Sequence, residues 1–543
     1  MSEAVLDRTP ATGTFRLPRP TLGGWELPAL VIVGLVGLWE LLARAVIADP
    51  LVVPAPSQIL NQLWQDRDLY PRNVAATLSA AAKGFVLGNV VAIVVALVIS
   101  EMGAFARPAL RVVVAFYCLP IIAIGPLLQA MLSGDAPRVA LAALSVFFPT
   151  LLGTLVGLRS ADPRSLDIIR AAGGGRWTAL RKVRIRAALP GLFAGLCIAA
   201  PAALLGAVVG EFLGADAGLG VLMVVSLSSI ETARAWGVAL VCAVLTGGAF
   251  ALVGAIGRRC TGWAAAVDLT FDVPSGPTSG QRWRRWTLGA LTMVGSIVII
   301  LGLWELALRL LDVPPFVARG PADVWEHFVT APDAAANRRV VAEALWVTTR
   351  HALLGLLVGT ATAVGLAALL GMSATVRRIV YPMLIALQSV PIVALTPLLV
   401  LALGRGLLTT ILLAALVSFF PTLVNLLASF SRTSATHTDL VLAYGGGPLT
   451  LMAKVQLPTA LPVLFASLRV AAPAALLGVI VAEWLVTGGG VGSLMVGGAL
   501  TGRFDAAWAA GVAVTVLSVV LYGLVGLLER PVLSKFGPVT KEG

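Results

Sequence analysis

Long apolar runs separated by short polar stretches dominate the pattern of this chain. Each run is long enough to span a bilayer as a helix, which takes about 20 residues, and none alternates with the period of two expected of barrel strands. Six runs fall in each half, so the pattern predicts an all-α integral membrane fold with twelve transmembrane helices. The runs cover about residues 28–48, 76–100, 109–132, 139–158, 187–213 and 235–257, then 287–311, 348–371, 379–403, 407–430, 459–485 and 508–528.

The two halves repeat each other. Phe147-Phe148-Pro149 returns as Phe419-Phe420-Pro421, and Gly173-Gly174-Gly175 returns as Gly445-Gly446-Gly447, each 272 residues later. Because each repeat has an even number of spans, equivalent loops lie on the same side of the membrane. We therefore expect two tandem six-helix repeats related by a pseudo-two-fold axis along the membrane normal.

The spacing of the runs divides the chain into five regions. A tail rich in proline precedes the first run, and a linker containing DVPSGPTSGQRWRRW joins the halves as a flexible tether. The predicted regions are an N-terminal tail (1–27), a first six-span domain (28–257), a linker (258–286), a second six-span domain (287–530) and a C-terminal tail (531–543).

Composition supports a membrane protein and gives its orientation. Hydrophobic residues make up 58% of the chain and charged residues 12%, against about 25% charged residues in soluble domains. The net charge of +12 comes from basic residues in short loops. Basic residues in such loops set the topology of a membrane protein, and they do not indicate a nucleic-acid partner. The positive-inside rule predicts cytoplasmic N- and C-termini in a cell membrane. Neither the four cysteines nor the three histidines have metal-site spacing, so no metal is expected.

Two polar segments interrupt the apolar pattern at equivalent places. We call residues 163–186 and 435–458 the first and second glycine segments; both are predicted to be cytoplasmic. The glycine run should break each segment into two short helices, which are too short to cross a membrane but suit an interface or a partner's groove. Two copies on one face indicate two similar partners, and binding to anionic lipid is the alternative. In the first copy the apolar side comprises Ile168, Ile169, Trp177, Leu180 and Val183.

The fifth predicted span of each half carries two further candidates. Glu211 and Glu483 end these spans and either line a path or gate at the pseudo-two-fold axis or are helix-end groups that reach interfacial water. Pro201 and Pro473 fall inside the same spans, where each removes a backbone hydrogen bond. They either kink a helix beside the pathway or are tolerated structural prolines.

The third and first spans also contain repeated residues. Pro120 and Pro391 predict a bend of the third span toward the pathway. In the first span, an acidic residue precedes an arginine by four positions, a spacing that predicts an ion pair on one helix face. The two predicted pairs are Glu40 with Arg44 and Glu305 with Arg309.

The glycine segments resemble the cytoplasmic signature of ABC importer permeases, which reads Glu-Ala-Ala, then glycine six residues after the Glu, then an apolar-x-Leu-Pro ending. Asp167 and Asp439 stand at the Glu position, and only the second copy keeps the Leu-Pro ending. In the first copy that ending is Ile185-Arg186. The residues that the resemblance implies for ATPase coupling are Asp167, Gly173, Gly174, Trp177, Asp439, Gly445, Gly446, Leu457 and Pro458.

Within this family the chain is similar to the nitrate, sulfonate and taurine permeases, as a fused pair of domains. The resemblance implies a transport subunit, not an enzyme. Its partners would be two ABC ATPase subunits, an extracytoplasmic substrate-binding protein or lipoprotein, and the lipid bilayer. ATP and Mg would bind to the ATPase subunits and no cofactor to this chain, which has no Gly-x-x-x-x-Gly-Lys-Ser/Thr phosphate loop.

Several alternatives remain open at this point. A secondary transporter driven by an ion gradient would want charges near the bilayer midplane, and such charges are nearly absent. A membrane scaffold would not need paired docking segments, and an exporter fits the short segments less well than an importer. The implied substrate is a small anion such as nitrate, a sulfonate or taurine, with a vitamin-precursor type of solute as the alternative.

Overall fold

The computed structural model describes residues 26–47, 53–102, 106–118, 121–263, 282–310, 314, 316–373, 376–377, 380, 384, 392–431, 433 and 435–536. Several predictions lie outside these residues: most of the N-terminal tail, the centre of the linker, the end of the C-terminal tail, and both Pro120 and Pro391. Everything that follows refers to the described residues.

The first half contains eleven described helices. They form where apolar runs rich in Ala, Leu and Val satisfy every backbone polar group within the helix, as a bilayer requires. A π-helical turn at Ala43–Ile47 extends the first helix, and another at Leu180–Arg184 joins the eighth to the ninth. The helices are α1 (Glu26–Leu42), α2 (Pro56–Gln65), α3 (Tyr70–Glu101), α4 (Ala106–Tyr117), α5 (Ile121–Met131), α6 (Ala136–Arg159), α7 (Pro163–Ala171), α8 (Arg176–Ala179), α9 (Ile185–Phe212), α10 (Leu219–Ser228) and α11 (Thr232–Cys260).

The second half repeats this order over its described residues. π-helical turns occur at Glu326–Thr330, Met452–Gln456 and Glu483–Thr487. The helices are α12 (Arg282–Leu310), α13 (Pro321–Trp325), α14 (Ala334–Met372), α15 (Ile392–Leu403), α16 (Leu407–Phe430), α17 (Ala435–Ala443), α18 (Pro448–Leu451), α19 (Leu457–Ala482), α20 (Gly490–Leu500) and α21 (Phe504–Phe536).

The all-helical membrane fold is confirmed. Within the described residues, nine helices are long and apolar enough to cross a bilayer, and they correspond to spans two, four, five and six of the first half and to spans one, two, four, five and six of the second. The first predicted span is the 17-residue α1 with its π-helical turn. The third predicted span is divided between α4 and α5 in the first half. The prediction missed α10 and α20, two short apolar helices that follow the fifth span.

The fourth and fifth spans pack closely in both halves, but by different means. In the first half, Gly153 and Gly157 of α6 lie against Gly191 and Gly195 of α9, where a Cβ would overlap the facing backbone. Small residues at a spacing of four allow this approach. In the second half, Asn425 and Ser467 occupy the places of Gly153 and Gly195, and the Asn425 amide donates a hydrogen bond to the Ser467 hydroxyl at 3.0 Å.

The third spans lie between the halves and pack against both. Leu127 of α5 is buried with Val317, Phe504 and Ala507 of the second half. Its equivalent 271 residues later, Leu398 of α15, is buried in a cluster of first-half residues that includes Val208, Leu219 and Val238. Neighbouring residues of the same helices contact their own halves, so each third span contributes to the hydrophobic cores of both halves.

The fifth spans meet on the pseudo-two-fold axis. A buried cluster contains Val209 of α9 and Val481 of α19, which are equivalent residues, together with the equivalent pair Leu205 and Leu477. Equivalent residues can share one cluster only near the axis that relates them. Phe212 and Trp484 border the same cluster.

Both predicted ion pairs of the first spans are confirmed. Arg44 Nε donates to Glu40 Oε1 at 2.6 Å, and Arg309 Nε donates to Glu305 Oε1 at 2.9 Å. The Ser57 hydroxyl also donates to Glu40 at 2.6 Å. These contacts tie α1 to the start of α2.

Candidate functional sites

The first glycine segment is a short helix closed by a glycine turn. The carboxylate of Asp162 accepts a hydrogen bond from the Arg164 amide at 3.0 Å and caps α7. At the other end, Gly174 N donates to Ile169 O at 2.8 Å and Gly173 N to Arg170 O at 3.0 Å. This pair of bonds is a Schellman motif, and it places Gly173 at a φ of 75°.

The second glycine segment has the same backbone. Gly446 N donates to Val441 O at 2.8 Å and Gly445 N to Leu442 O at 2.9 Å, and Gly445 has a φ of 74°. A Cβ on Gly446 would lie 2.9 Å from Val441 O, just as one on Gly174 would lie 2.8 Å from Ile169 O. The first glycine of each run is therefore needed for its positive φ. The second is needed because a carbonyl oxygen of the preceding helix lies too close to leave room for a Cβ.

The prediction of two short helices in each segment is wrong for the second helix. α8 passes through the Leu180–Arg184 turn directly into α9, and α18 passes through Met452–Gln456 into α19. Each glycine segment is thus a lateral helix followed by the projecting end of the fifth span. Leu180 and Met452 anchor these ends because both are buried, with 5% and 3% of their surface exposed.

The two glycine segments present charged and apolar side chains to solvent. Asp167 is exposed and pairs with Arg170 at 2.8 Å. Asp439 is also exposed, but the position of Arg170 is Leu442 in the second copy, so it cannot form the same pair. Trp177 is 74% exposed, as a residue that inserts into a partner would be.

Leu457 and Pro458, the predicted Leu-Pro ending, lie at the start of α19. They are half-buried and line an apolar cleft of about 300 Å³ between α14, α16 and α19. Val364 and Leu426 form its other walls. In the first copy Ile185 and Arg186 start α9 at the same place.

Glu211 is enclosed in the fold and does not reach interfacial water. It is 2% exposed and accepts hydrogen bonds from the Thr77 hydroxyl at 2.8 and 3.0 Å and from Gly220 N at 2.8 Å. Thr77 in turn accepts from Leu219 N at 2.9 Å. We call this arrangement the first bracket: it joins α3, the end of α9 and the start of α10. Gly218, at a φ of 145°, lies so close to the carboxylate that a Cβ would overlap it.

The second half contains the same bracket around Glu483, which is fully buried. The Thr348 hydroxyl donates to it at 2.8 and 2.9 Å, Gly492 N donates at 3.0 Å, and Val491 N donates to Thr348 at 3.0 Å. One residue differs: His351 Nδ1 lies 3.8 Å from Glu483 Oε1, whereas Ala80 occupies that position in the first half. The two glutamates stand out in the sequence as charges in apolar runs, whereas Thr77, Thr348 and His351 were not predicted.

The prolines of the fifth spans lie inside their helices. Pro201 is within α9 and Pro473 within α19. Each lies one turn before a residue of the cluster on the pseudo-two-fold axis, Leu205 or Leu477. Pro120 and Pro391 cannot be placed, because they lie outside the described residues.

An ion pair that the sequence analysis did not single out lies inside the second half. Arg469 of α19 donates to Glu529 of α21 at 3.0 Å, and its guanidinium stacks 4.8 Å from the centre of the Tyr522 ring. Both charged side chains are mostly buried. The equivalent first-half residues are Cys197, Gly257 and Phe250, so this pair belongs to one half alone.

The first half has an ion pair of its own on the face opposite the glycine segments. Arg234 donates to both carboxylate oxygens of Asp66, at 2.6 and 2.8 Å, and Gln62 donates to Asp66 at 2.8 Å. The hydrogen bond from Arg234 holds the pKa of Asp66 below its ordinary value of 3.8. The pair joins the loop before α3 to the start of α11.

Within the described part of the chain, no three His, Cys, Asp or Glu side chains come together as a metal site. The four cysteines are free thiols. The sites consist of two exposed glycine segments on one face and two buried brackets.

The sequence matches a known family over most of both halves. The profile described as "Binding-protein-dependent transport system inner membrane component" matches residues 88–261 and again residues 355–534. Each match begins within the second span and ends at or near the end of the sixth. Both glycine segments and both bracket glutamates lie inside the matches, whereas Thr77 and Thr348 precede them.

Individual relatives are permease proteins that match about half of this chain. The chain is 30% identical over 239 residues to a probable ABC transporter permease protein of Haemophilus influenzae, covering 43% of this chain and 92% of the relative. It is 29% identical to the riboflavin transport system permease protein RibX of Chloroflexus aurantiacus, covering 46% and 93%. It is also 29% identical to a putative aliphatic sulfonates transport permease protein, SsuC, of Bacillus subtilis, covering 44% and 88%.

These proteins are transport components and not enzymes, and each spans under half of the present chain. The two family matches, the repeated glycine segments and the repeated brackets lead to one conclusion. The chain belongs to the binding-protein-dependent transport system inner membrane components, the permeases of ABC transporters, and carries two such domains.

Proposed function

We propose that this chain forms the translocation pathway of an ABC importer and binds two ATPase subunits through its two glycine segments. The observation that carries the proposal is the repetition of one exposed backbone motif on one face of a membrane protein. Gly173 and Gly445 share one conformation, and both glycine segments expose large apolar side chains, Trp177 in the first and Leu449 in the second. Exposed apolar groups of this kind suit a groove in a partner protein.

The connection between segment and span supplies the coupling. Because α8 and α18 continue into the fifth spans, a displacement of either of these projecting ends is transmitted to a helix on the pseudo-two-fold axis. At the far end, each bracket ties the fifth span to the second span and to the short helix after it. ATP-driven closure of the ATPase pair would therefore move these three elements of each half together. ATP and Mg would be bound by the ATPase subunits.

The proposed orientation places the glycine segments and both termini in the cytoplasm, and the chain in the cell membrane. Exposed arginines concentrate on the glycine-segment face of the first half, which agrees with the positive-inside rule. The opposite face would receive an extracytoplasmic binding protein that delivers the solute.

For the substrate we propose a small anion of the sulfonate, taurine or nitrate type, supported by the similarity to the sulfonate permease protein. The equal identity to the riboflavin permease protein favours a vitamin-type solute as a second candidate. The partner binding protein distinguishes them: its tryptophan fluorescence should respond to taurine, an alkanesulfonate or nitrate in the first case and to riboflavin in the second. A response to a cation alone would contradict both.

Charge reversal in the glycine segments tests the coupling role. In proteoliposomes that contain the ATPase subunits and the binding protein, we expect Asp439→Lys to reduce ATP-driven uptake and the amount of bound ATPase. Asp68→Lys is the matched control for the amount of bound ATPase, because Asp68 is 88% exposed on the opposite face. Normal uptake and normal ATPase binding in the Asp439→Lys variant would contradict the proposed role.

A further inference from the structure

The two glycine segments share a backbone but present different surfaces. Arg164, Arg170 and Arg176 of the first glycine segment are exposed and have uncharged equivalents in the second. Conversely, the second exposes Leu442, Tyr444 and Leu449, which are 57%, 87% and 71% exposed. The equivalent pairs are Arg164 and Thr436, Arg170 and Leu442, Arg176 and Pro448, Ala172 and Tyr444, and Trp177 and Leu449.

Over the first sixteen residues of each glycine segment, the net charge differs in sign. Residues 163–178 contain three arginines and one aspartate, a net charge of +2, whereas residues 435–450 contain one aspartate and neutral His437, a net charge of −1. Only Arg170 has a carboxylate partner of its own, Asp167. Arg164 and Arg176 are exposed and have no ion pair among the described residues.

The fold itself does not require this difference. Both segments make the same Schellman motif, and both are anchored by one buried apolar residue, Leu180 or Met452. Since the second segment keeps the backbone without the arginines, their role lies in what the surface contacts. The same holds for Tyr444, the most exposed of the large side chains in the second segment.

We propose that the two ATPase subunits are different chains: one with carboxylates in the groove that receives the first glycine segment, the other with an apolar groove that receives the second. This inference rests on the proposed function. Two copies of one ATPase would offer the same groove twice. Carboxylates placed for Arg164 and Arg176 would be buried without partners beneath Pro448 and Leu449 in the second copy, which is costly.

The first experiment is purification of the chain from its native membranes, with quantification of the ATPase subunits that accompany it. Two different ATPase chains in equal amounts are expected. One kind of ATPase at two copies per permease would overturn the inference and leave the proposed function standing. Absence of any ATPase would overturn both.

Salt and charge reversal assign each ATPase to its segment. The Debye screening length shortens to about 3 Å at 1 M salt. A wash at that concentration should therefore release the ATPase bound to the first segment and retain the one bound to the second. Arg164→Glu with Arg176→Glu should lower recovery of the same ATPase by about tenfold, since each exposed charge pair contributes up to about 1 kcal/mol. Tyr444→Glu with Leu449→Glu should release the other ATPase.

A variant that carries residues of the second segment in the first controls for misfolding. In the variant R164T/R170L/R176P, the first segment carries residues that the second segment already accommodates on the same backbone. It should lose the salt-sensitive ATPase while the purified permease stays monodisperse. If this variant and the charge reversal both retain the two ATPases, and uptake changes only in vesicles of anionic lipid, the arginines contact lipid and the proposal is wrong.

Discussion

The hydroxyl of Thr348 lies within hydrogen-bonding distance of both carboxylate oxygens of Glu483, at 2.8 and 2.9 Å, in the interior of a membrane protein. Thr77 holds Glu211 in the same way, 271 residues earlier in the chain. Each threonine also accepts a hydrogen bond from the start of the following short helix. One hydroxyl thus connects three elements, and its removal takes one hydrogen-bond donor from a buried carboxylate and the acceptor from a buried amide.

We therefore predict that Thr348→Val and Thr77→Val each lower the free energy of unfolding by about 2 kcal/mol or more, the usual cost of an unsatisfied buried group. Thermal unfolding of the purified protein in lipid nanodiscs measures the loss. Thr349→Val is the control, because Thr349 bonds only to Leu345 O within its own helix. Equal effects at positions 348 and 349 would show that the bracket contributes no specific stability.

The ion pair between Asp66 and Arg234 predicts a dependence of stability on pH. Since the pKa of Asp66 is lowered in the folded protein, its carboxylate stabilises the fold above its ordinary value of 3.8, and that contribution is lost as the pH falls through the lowered pKa. Asp66→Asn should cost about 2 kcal/mol near neutral pH, and the difference from wild type should shrink below about pH 4.

Unfolding temperatures of wild type and variant across that range provide the measurement. Asp68→Asn serves as control, because Asp68 is 88% exposed and lies 4.0 Å from its nearest cation. A stability difference for Asp66→Asn that does not change with pH would contradict the assignment.

The glycine run offers a comparison among three adjacent residues. A Cβ at Gly174 would lie 2.8 Å from Ile169 O, and Gly173 has a positive φ, but Gly175 has a φ of −78° and open space around it. Gly173→Ala should cost about 1 kcal/mol locally, Gly174→Ala should distort the turn, and Gly175→Ala should be neutral.

ATP-driven uptake in proteoliposomes should follow the same order, with loss at positions 173 and 174 and normal uptake at 175. Gly446→Ala and Gly447→Ala repeat the test in the second half, where the geometry is the same. If alanine at 174 were as harmless as at 175, the turn would not matter for coupling.

The buried pair Arg469 and Glu529 predicts a non-additive double mutant. Arg469→Cys, which introduces the first-half residue, leaves Glu529 unpaired and should destabilise the protein by about 3 kcal/mol. Adding Glu529→Gln removes the uncompensated charge, so the double variant should recover more than half of that loss. Denaturation of the four proteins of this cycle gives the coupling energy, and simple additivity would show that the two side chains act independently.

The helices and their duplication could be predicted from the sequence, because long apolar runs and a constant offset are local or periodic signals. The glutamates of the brackets stood out as charges in apolar runs. Their partners did not, since Thr77 and Glu211 are 134 residues apart and a threonine in a membrane helix is unremarkable by itself. The repetition of Thr at positions 77 and 348 was the available signal.

Other features depend on tertiary packing. The continuation of α8 into α9 was missed because the glycine run suggested breaks on both sides, whereas only the side toward α7 needs a positive φ. The packing of the third spans against the opposite half could not be predicted, because Leu127 and Leu398 are apolar residues that would be buried equally well in either half. Arg469 was overlooked within a run that is otherwise apolar.

The third spans give the fusion of the two halves a purpose, because each of them packs against both halves. A half expressed alone would lack the helix that the other half contributes to its core and could replace it only with a copy of its own. Such a homodimer would carry two identical glycine segments, both basic or both apolar. A single chain instead supplies the unlike halves in a one-to-one ratio and at an effective concentration in the millimolar range, so the mixed assembly forms ahead of either symmetric one. In a single chain, the association of the two halves does not depend on specific recognition between separate subunits. Covalent linkage would thus have allowed the sequences of the two halves to diverge.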